Sequence, residues 1–202
     1  MKKHPFPKSI IIFIGLYMVA ALTVSVMRGN WEFFAYIGVQ VVIMAVVYLV
    51  HRKVGFSRVL LWGLSLWGLL HMAGGLVSVP ETWHYEEGSQ PVLYSLWLIG
   101  ETLKYDHVVH AFGFGLTTWL CWEGLRAGIQ MRLGRKLYPS FGLVVLCMAG
   151  GMGFGALNEV VEFFVTLRLP ETNVGGYVNT GWDLVSNMVG CCVAGLAIAL
   201  RG

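Results

Sequence analysis

Charged residues are scarce in this sequence: Asp, Glu, Lys and Arg make up 12% of its 202 residues, whereas hydrophobic residues make up 56%. A soluble domain of this length carries about twice that share of charge. Repeats of fixed period, low-complexity segments and strand-like alternation of polarity are also missing from the sequence, which argues against solenoids and closed barrels. We therefore expect an all-α polytopic membrane protein.

Cysteine is rare as well, and the four cysteines all lie inside apolar runs: Cys121, Cys147, Cys191 and Cys192. Their placement predicts neither a disulfide framework nor a zinc-thiolate site, because small apolar side chains of this kind are commonly buried. The net charge of +3 is modest. It requires no nucleic-acid partner, and the membrane lipids are the only partners that the composition predicts.

Six apolar runs dominate the sequence, each about as long as the roughly 20 residues that a membrane-spanning helix needs. They lie near Ser9–Met27, Phe33–Val50, Val59–Val79, Tyr105–Gly124, Phe141–Val165 and Trp182–Leu200. The connections are too short for a soluble domain, so we expect one domain, residues 1–202, built as a compact bundle of six transmembrane helices.

Two segments around these runs need separate interpretation. The first run is longer than the apolar core of a signal peptide and lacks an Ala-x-Ala site, so it is predicted to be a retained span. The segment Val92–Lys104 is too short to span and carries Tyr94 and Trp97. Aromatic residues favour the membrane–water interface, so we expect an interfacial helix that leads into the fourth span.

The basic residues cluster on alternate connections and predict the orientation of the chain. Eleven of the 14 Lys and Arg residues fall on one side: Lys2, Lys3, Lys8, Arg52, Lys53, Arg58, Arg126, Arg132, Arg135, Lys136 and Arg201. Because positive charge is retained in the cytoplasm, both termini are predicted to be cytoplasmic. The other loops, RGNWE, PETWHYEEGSQP and RLPETNVGGYVNTG, are then expected to face outward.

Several ionisable groups lie inside the predicted spans, where each costs about 2.5–3.5 kcal/mol on insertion scales. The principal ones are His71, Asp106, His107, His110, Glu159, Glu162 and Asp183. With a rise of about 1.5 Å per residue, four helices carry such groups roughly 8–12 Å from their outward ends. The common depth predicts a polar cluster in the outer leaflet.

The spacing of these residues places them on shared helix faces, because residues three or four apart are neighbours on a helix. The pairs are Asp106 and His110, Glu159 and Glu162, and Asp183 and Asn187. Small residues nearby let membrane helices approach closely; they include Gly68, Gly75 and the stretch Gly151-Met-Gly-Phe-Gly155. We expect the polar faces to meet within ligating distance.

Some of these groups also have structural interpretations. Thr180-Gly-Trp-Asp183 fits a capping box, and Asp106 in a first helical turn is favoured by the helix dipole. His107 fits an interfacial residue, and His71 fits a histidine that is hydrogen-bonded within the bundle. The two glutamates one turn apart are different, because two ionised carboxylates repel unless a proton, a cation or a histidine lies between them.

Taken together, the cluster predicts a site for a divalent metal. The candidate ligands are His71, Asp106, His110, Glu159, Glu162 and Asp183. Two imidazoles and four carboxylates suit zinc, iron or manganese better than a metal that prefers thiolates. The candidate catalytic residues are Glu159, Glu162 and His110: a glutamate activates a metal-bound water, and His110 acts as a ligand or a proton shuttle.

Four motifs in the second half of the chain resemble those of a known family. They are His71-Met-Ala-Gly-Gly, Tyr105-Asp106-x-x-x-His110-x-Phe112, Asn158-Glu159-Val-Val-Glu162-Phe163 and Trp182-Asp183. In this order they resemble the YjdF-like proteins of the bacterial inner membrane. More distantly, Asp106-x-x-x-His110, Glu159 and the stretch from Asp183 to Gly190 are similar to VanZ-like proteins. The resemblance implies a bacterial inner-membrane location and supplies no reaction.

Three functions are compatible with these features. The first is an intramembrane, metal-dependent enzyme that acts on a lipid or lipid-linked substrate at the outer leaflet. The second is a non-enzymatic membrane partner protein in which the cluster pins the helices together. The third is a proton-coupled transporter, but the inner halves of the spans offer no ionisable path and no inverted repeat is evident.

Overall fold

The computed structural model describes residues 4–169, 172 and 174–201. Within these residues six α-helices follow one another: α1 Lys8–Arg28, α2 Trp31–Val54, α3 Arg58–Leu76, α4 Tyr105–Leu133, α5 Phe141–Thr166 and α6 Tyr177–Ala199. Between α3 and α4 lie a 3-10 turn, Leu93–Ser95, and two short strands, β1 Trp97–Ile99 and β2 Leu103–Lys104. The predicted all-α bundle is confirmed.

The turns that join the first three helices are encoded locally. α1 ends at Gly29, whose φ of 64° is accessible to glycine without strain. The side chain of Asn30 then accepts a hydrogen bond from the backbone N–H of Phe33 and caps α2. At the other end of α2, Gly55 has φ 75° and the Ser57 hydroxyl caps α3. These stops reverse the chain within a few residues.

Five of the six helices, α1, α2, α3, α5 and α6, are long and apolar enough to cross a membrane. Their exposed side chains include large aliphatic ones such as Leu16, Leu49, Leu146 and Leu196, which water would not favour and lipid does. α4 is the longest helix but is more polar along its length. It packs against α3, α5 and α6, and its polar residues His110, Thr117 and Thr118 are buried.

The bundle has two ends that differ in chemistry. The connections α2–α3 and α4–α5 lie at the first end, together with residues 4–7 and Arg201, and nine of the twelve described Lys and Arg residues lie there or in the adjoining helix ends. We refer to it as the basic end. The connections α1–α2, α3–α4 and α5–α6 form the opposite end, the long-loop end. Arg28 Nη1 ties the last turns of α1 and α3 together there, by donating to the carbonyl of Leu76 at 2.8 Å.

The predicted interfacial helix Val92–Lys104 is wrong. The segment forms the 3-10 turn and an antiparallel hairpin, in which Trp97 pairs with Lys104 across a turn at Gly100, φ 49°. Its backbone groups are satisfied by neighbouring loop residues: the N–H of Trp97 donates to the carbonyl of His84 at 3.0 Å. Aromatic residues and Ile99 favour strands as well as interfaces, so the composition did not distinguish the two.

Two helix boundaries also differ from the prediction, and one changes the interpretation of a site residue. α4 continues past Gly124 to Leu133, and α6 begins at Tyr177 instead of Trp182. The predicted outward loop RLPETNVGGYVNTG is therefore partly helical; its residues 170, 171 and 173 lie outside the described part of the chain. Thr180 lies inside α6, so the capping-box interpretation of Asp183 is wrong.

Candidate functional site

The candidate site is built around a close contact between α4 and α6. A Cβ atom at Gly190 would overlap the backbone carbonyl of Ala111, and a Cβ atom at Gly115 would lie 3.0 Å from the carbonyl oxygen of Gly190. Only glycine permits this approach. The contact brings the two polar faces predicted from the sequence side by side near the long-loop end, where α5 packs across them.

His110 of α4 is the centre of this arrangement. Its Nδ1 lies 3.1 Å from Oδ1 of Asn187 on α6 and 3.9 Å from Oε1 of Glu159 on α5, while its Nε2 lies 3.5 Å from Oδ1 of Asp106. An amide oxygen only accepts hydrogen bonds, so Nδ1 carries a proton. A bare Nε2 lone pair facing a carboxylate is repulsive, so the contact with Asp106 is favourable with a proton on Nε2 or with a bound cation between the two groups.

Asp183 of α6 is 1% exposed, and only one of its two carboxylate oxygens has a hydrogen-bond partner among the described residues. Its Oδ2 accepts a hydrogen bond from Asn179 Nδ2 at 2.7 Å. Its Oδ1 has no hydrogen-bond partner among the residues that the structure describes. Unpartnered buried carboxylate oxygens are costly, and Asp183 belongs to a group with Asp106 and His110 in which each residue offers one ligand atom within 4.8 Å of the others.

A buried lysine supports Asp183 from the long-loop end. Lys104 Nζ donates to Asn179 Oδ1 and, at 3.1 Å, to Oε2 of Glu86, whose side chain is partly exposed. A hydrogen-bonded chain thus runs from the surface loop through Lys104 and Asn179 to Asp183. Lys104 was not a candidate from the sequence because its contacts with Glu86 and Asn179 bridge 18 and 75 positions, whereas Asn179 and Asp183 share a helix face through their i, i+4 spacing.

The two glutamates of α5 lie on the face that meets α4 and α6. Glu162 Oε1 accepts a hydrogen bond from Asn158 Nδ2 at 2.7 Å, and Glu159 Oε1 is buried close to His110. Gly155 permits this approach, because a Cβ atom there would lie 2.7 Å from Asn187 Nδ2. The small residues in the stretch from Gly151 to Gly155 therefore bring α5 towards α6, as their spacing suggested.

Five of the six predicted ligands fall into two groups in which the candidate ligand atoms lie within 4.8 Å of one another. The groups are Asp106, His110 and Asp183, and His110, Glu159 and Glu162. The sixth residue, His71, belongs to neither group within the described part of the chain. His110 is common to both groups and presents a different ring nitrogen to Asp106 and to Glu159.

His71 is instead held by the α3–α4 loop. Its Nδ1 is hydrogen-bonded to the hydroxyl of Tyr94, which agrees with the structural interpretation of this histidine. Burial raises the pKa of Tyr94 well above its ordinary value, and the nearby carboxylates of Asp106 and Glu162 raise it further. The neutral phenol is thus the hydrogen-bond donor, and Tyr94 is a further residue of the site that spacing alone could not reveal.

His107 is buried in the bundle, which its sequence-based interpretation as an interfacial residue did not foresee. It is 5% exposed, and its Nδ1 accepts a hydrogen bond from the backbone N–H of Lys104 at 3.2 Å. Its ring lies between those of Trp97 and Trp182, with centroid separations of 6.4 and 6.1 Å. It points away from the polar cluster, to the other side of the α4–α6 contact, where it lines a cavity.

The comparisons with known proteins support the membrane assignment. No curated protein and no solved structure gives a significant match. A family model described as "Predicted membrane protein (DUF2238)" matches residues 9–202, a range that contains nearly all of the six helices. The match confirms that the chain belongs to a family of membrane proteins. It does not extend to the YjdF-like or VanZ-like resemblance. This chain belongs to the DUF2238 family of predicted membrane proteins.

Proposed function

We propose that this protein holds a divalent metal ion between α4 and α6 and hydrolyses an ester or phosphoester bond of a lipid or lipid-linked substrate. The observation that carries the proposal is the buried, unpartnered Oδ1 of Asp183, in a group with Asp106 and His110 whose ligand atoms lie within 4.8 Å of one another. One nitrogen and two carboxylate ligands suit zinc, iron or manganese and leave positions open for water and substrate.

The surrounding hydrogen bonds support this assignment of the ligands. Asn187 accepts the Nδ1 proton of His110 and so presents the Nε2 lone pair to the metal, beside Asp106. Asn179 holds Oδ2 of Asp183 and leaves Oδ1 free to bind. Outer partners of this kind fix the orientation of ligands in known metal sites. The metal also supplies a positive charge between His110 and Asp106.

Glu159 is the proposed general base, since its Oε1 is buried within 3.9 Å of the His110 ring and has no hydrogen-bond partner in the described chain. It takes a proton from the attacking water, and the water oxygen forms a bond to the carbonyl carbon or the phosphorus of the substrate. The bond to the alcohol oxygen breaks, and the proton passes from Glu159 to that oxygen. Glu162, held by Asn158, lies beside it as the second carboxylate.

The substrate class follows from where the cluster lies. The cluster is near the long-loop end of helices whose exposed faces are apolar. Nine of the twelve Lys and Arg residues that the structure describes lie at the basic end, so the basic end is proposed to be cytoplasmic. The site then faces the outer leaflet of a bacterial inner membrane, where lipids are the abundant esters.

Metal analysis of the purified protein tests the proposal directly. After incubation with zinc, manganese or iron(II) and removal of the excess, the wild type is expected to retain about one ion per chain, while Asp183→Asn loses it. Glu123→Gln is the matched control, because Glu123 lies on α4 near the basic end and contacts Ser57 and Trp119. A wild type that retains no metal, or an Asp183→Asn variant that retains it fully, would contradict the metal site.

Hydrolysis needs a separate measurement. Glu159→Gln is expected to keep the metal but to lower the release of fatty acid or phosphate from mixed phospholipid micelles by about 10²–10⁴-fold, the usual contribution of a general base. If the wild type retains metal but releases neither fatty acid nor phosphate from these micelles, the result would argue for the non-enzymatic membrane partner protein. The hydrogen bond between His110 and Asn187, which joins α4 to α6, is the observation that favours that second candidate.

A further inference from the structure

An apolar groove follows α4 and α6 on the side of their contact opposite the polar cluster. It has a volume of about 650 Å³ and extends from Thr102, His107 and Trp182 at the long-loop end to Trp119 and Arg201 at the basic end. The lining between these ends is apolar and mostly small, with Ala111, Gly115, Val189, Val193 and Ala197 among its residues. We call this cavity the apolar groove.

The dimensions of the apolar groove suit a single hydrocarbon chain. At about 1.5 Å per residue, the stretch of α4 from His107 to Trp119 spans about 18 Å, slightly more than one leaflet of a hydrocarbon core that is about 30 Å thick.

A buried hydrogen-bond donor stands at the long-loop end of the apolar groove. The Nδ1 of His107 accepts the Lys104 backbone N–H, so the neutral ring carries its proton on Nε2. That Nε2–H has no hydrogen-bond partner among the described residues, although the side chain is 5% exposed and lines the groove. Buried donors are almost always paired in native proteins, so a water molecule or a ligand oxygen in the apolar groove is the expected acceptor.

We propose that the apolar groove binds one acyl chain of a glycerophospholipid, and that His107 Nε2–H donates to an oxygen of the same lipid. The chain lies along α4 and α6 towards Trp119, and the acceptor is either the ester carbonyl or a phosphate oxygen. The rings of Trp97 and Trp182 flank His107. Aromatic residues at this depth commonly accompany the polar part of a lipid.

His107 directly follows Asp106 in the chain, and Trp182 directly precedes Asp183. The lipid oxygen at His107 is therefore at the same level of the bundle as the proposed metal ligands, but on the opposite side of the α4–α6 contact. The lipid in the apolar groove is thus bound apart from the proposed metal site, and the inference goes beyond the proposed function without depending on it.

Native mass spectrometry measures lipid binding without requiring catalysis. The protein is reconstituted with dioleoylphosphatidylglycerol in the presence of EDTA, released in detergent, and the fraction with retained lipid is counted. Ala197→Phe fills the apolar groove and is expected to lower retention at least about tenfold. Ala199→Phe is the matched control on the same helix, because Ala199 is exposed and does not line the groove. Equal retention by both variants overturns the proposal.

Two further arms test the donor. His107→Leu is expected to lower retention about fivefold, the effect of one typical hydrogen bond, and unchanged retention in a folded variant overturns the role of His107. Weaker retention of the dialkyl ether analogue by the wild type identifies the ester carbonyl as the acceptor; equal retention that still depends on His107 identifies the phosphate. If His107→Leu does not fold, the Ala197→Phe and Ala199→Phe pair still decides whether the groove holds lipid. Because EDTA is present, a failed metal site and a failed lipid site are distinguishable.

Discussion

The two sides of the α4–α6 contact differ completely although the same two helices form them. On one side, Asp106, His110 and Asp183 bring two carboxylates and an imidazole together; His110 and Asp183 are buried and Asp106 is half-buried. On the other side, His107 and Trp182 line the long-loop end of the apolar groove. A step of one residue turns a side chain by about 100° around a helix. Adjacent residues therefore point to different sides of a helix, and the elements packed against the helix determine which side is buried.

The enclosed face is the polar one because α5 and the α3–α4 loop cover it. Glu159 of α5 approaches His110 from one side, and Tyr94 and Lys104 of the loop reach His71 and Asn179 from above. The groove face instead borders the lipid side, with Val189 and Val193 exposed. Polar groups inside a membrane are tolerated only where protein surrounds them, which explains why the cluster and the groove are on opposite sides.

The largest expected effect comes from separating the two helices, which damages both faces. Gly190→Ala places a methyl group on the carbonyl of Ala111 and is expected to destabilise the protein by about 1–3 kcal/mol, the usual cost of overpacking. The melting temperature in detergent, the metal content and the fraction of retained lipid would all decrease. Gly153→Ala is the control, because nothing lies within 4 Å of a Cβ atom at Gly153. Equal melting temperatures for the two variants would contradict the importance of this contact.

Much of the fold was predictable because apolar runs and helix faces are local properties. The runs predicted the six helices, and the spacing of Asp106 and His110 predicted one polar face. The same reasoning placed Glu159 beside Glu162, and the structure brings both next to His110. That these side chains bind a metal stays a prediction, since proximity alone does not establish a ligand.

The loop residues of the site were not predictable for a physical reason. Lys104 was expected at the end of an interfacial helix, in contact with water and headgroups, yet it is buried by partners 18 and 75 positions away, Glu86 and Asn179. Such pairings depend on the tertiary fold, which no local period encodes. The burial of His107 was not predictable for the same reason, because the tryptophans in contact with it come from two separate segments.

A smaller effect is expected from a substitution that changes the polar face alone and leaves the helix packing intact. Asn187→Leu removes the acceptor that orients His110 and is expected to weaken metal binding about 10–100-fold, as is usual when an outer partner of a ligand is lost. Ser186→Ala, one residue away and facing the apolar groove, should leave metal affinity unchanged. Competition with a fluorescent chelator measures both. Equal losses in the two variants would mean that the cluster and the groove are not independent.

The smallest expected effect concerns the loop that covers the polar face. Tyr94→Phe removes the hydrogen bond to His71 and is expected to lower stability by about 1 kcal/mol near pH 7. The raised pKa of Tyr94 gives this loss a definite pH dependence. An unfolded tyrosine ionises at about pH 10, so the stability contributed by the buried neutral phenol is fully present below that pH and declines as the pH rises above it. The difference in melting temperature between wild type and Tyr94→Phe should therefore shrink from pH 8 to pH 11. Tyr138→Phe is the control, because Tyr138 is exposed between α4 and α5. Its melting temperature should match that of the wild type at both pH values. A difference that stays constant over this range would show that Tyr94 is not held as a buried neutral donor over the cluster.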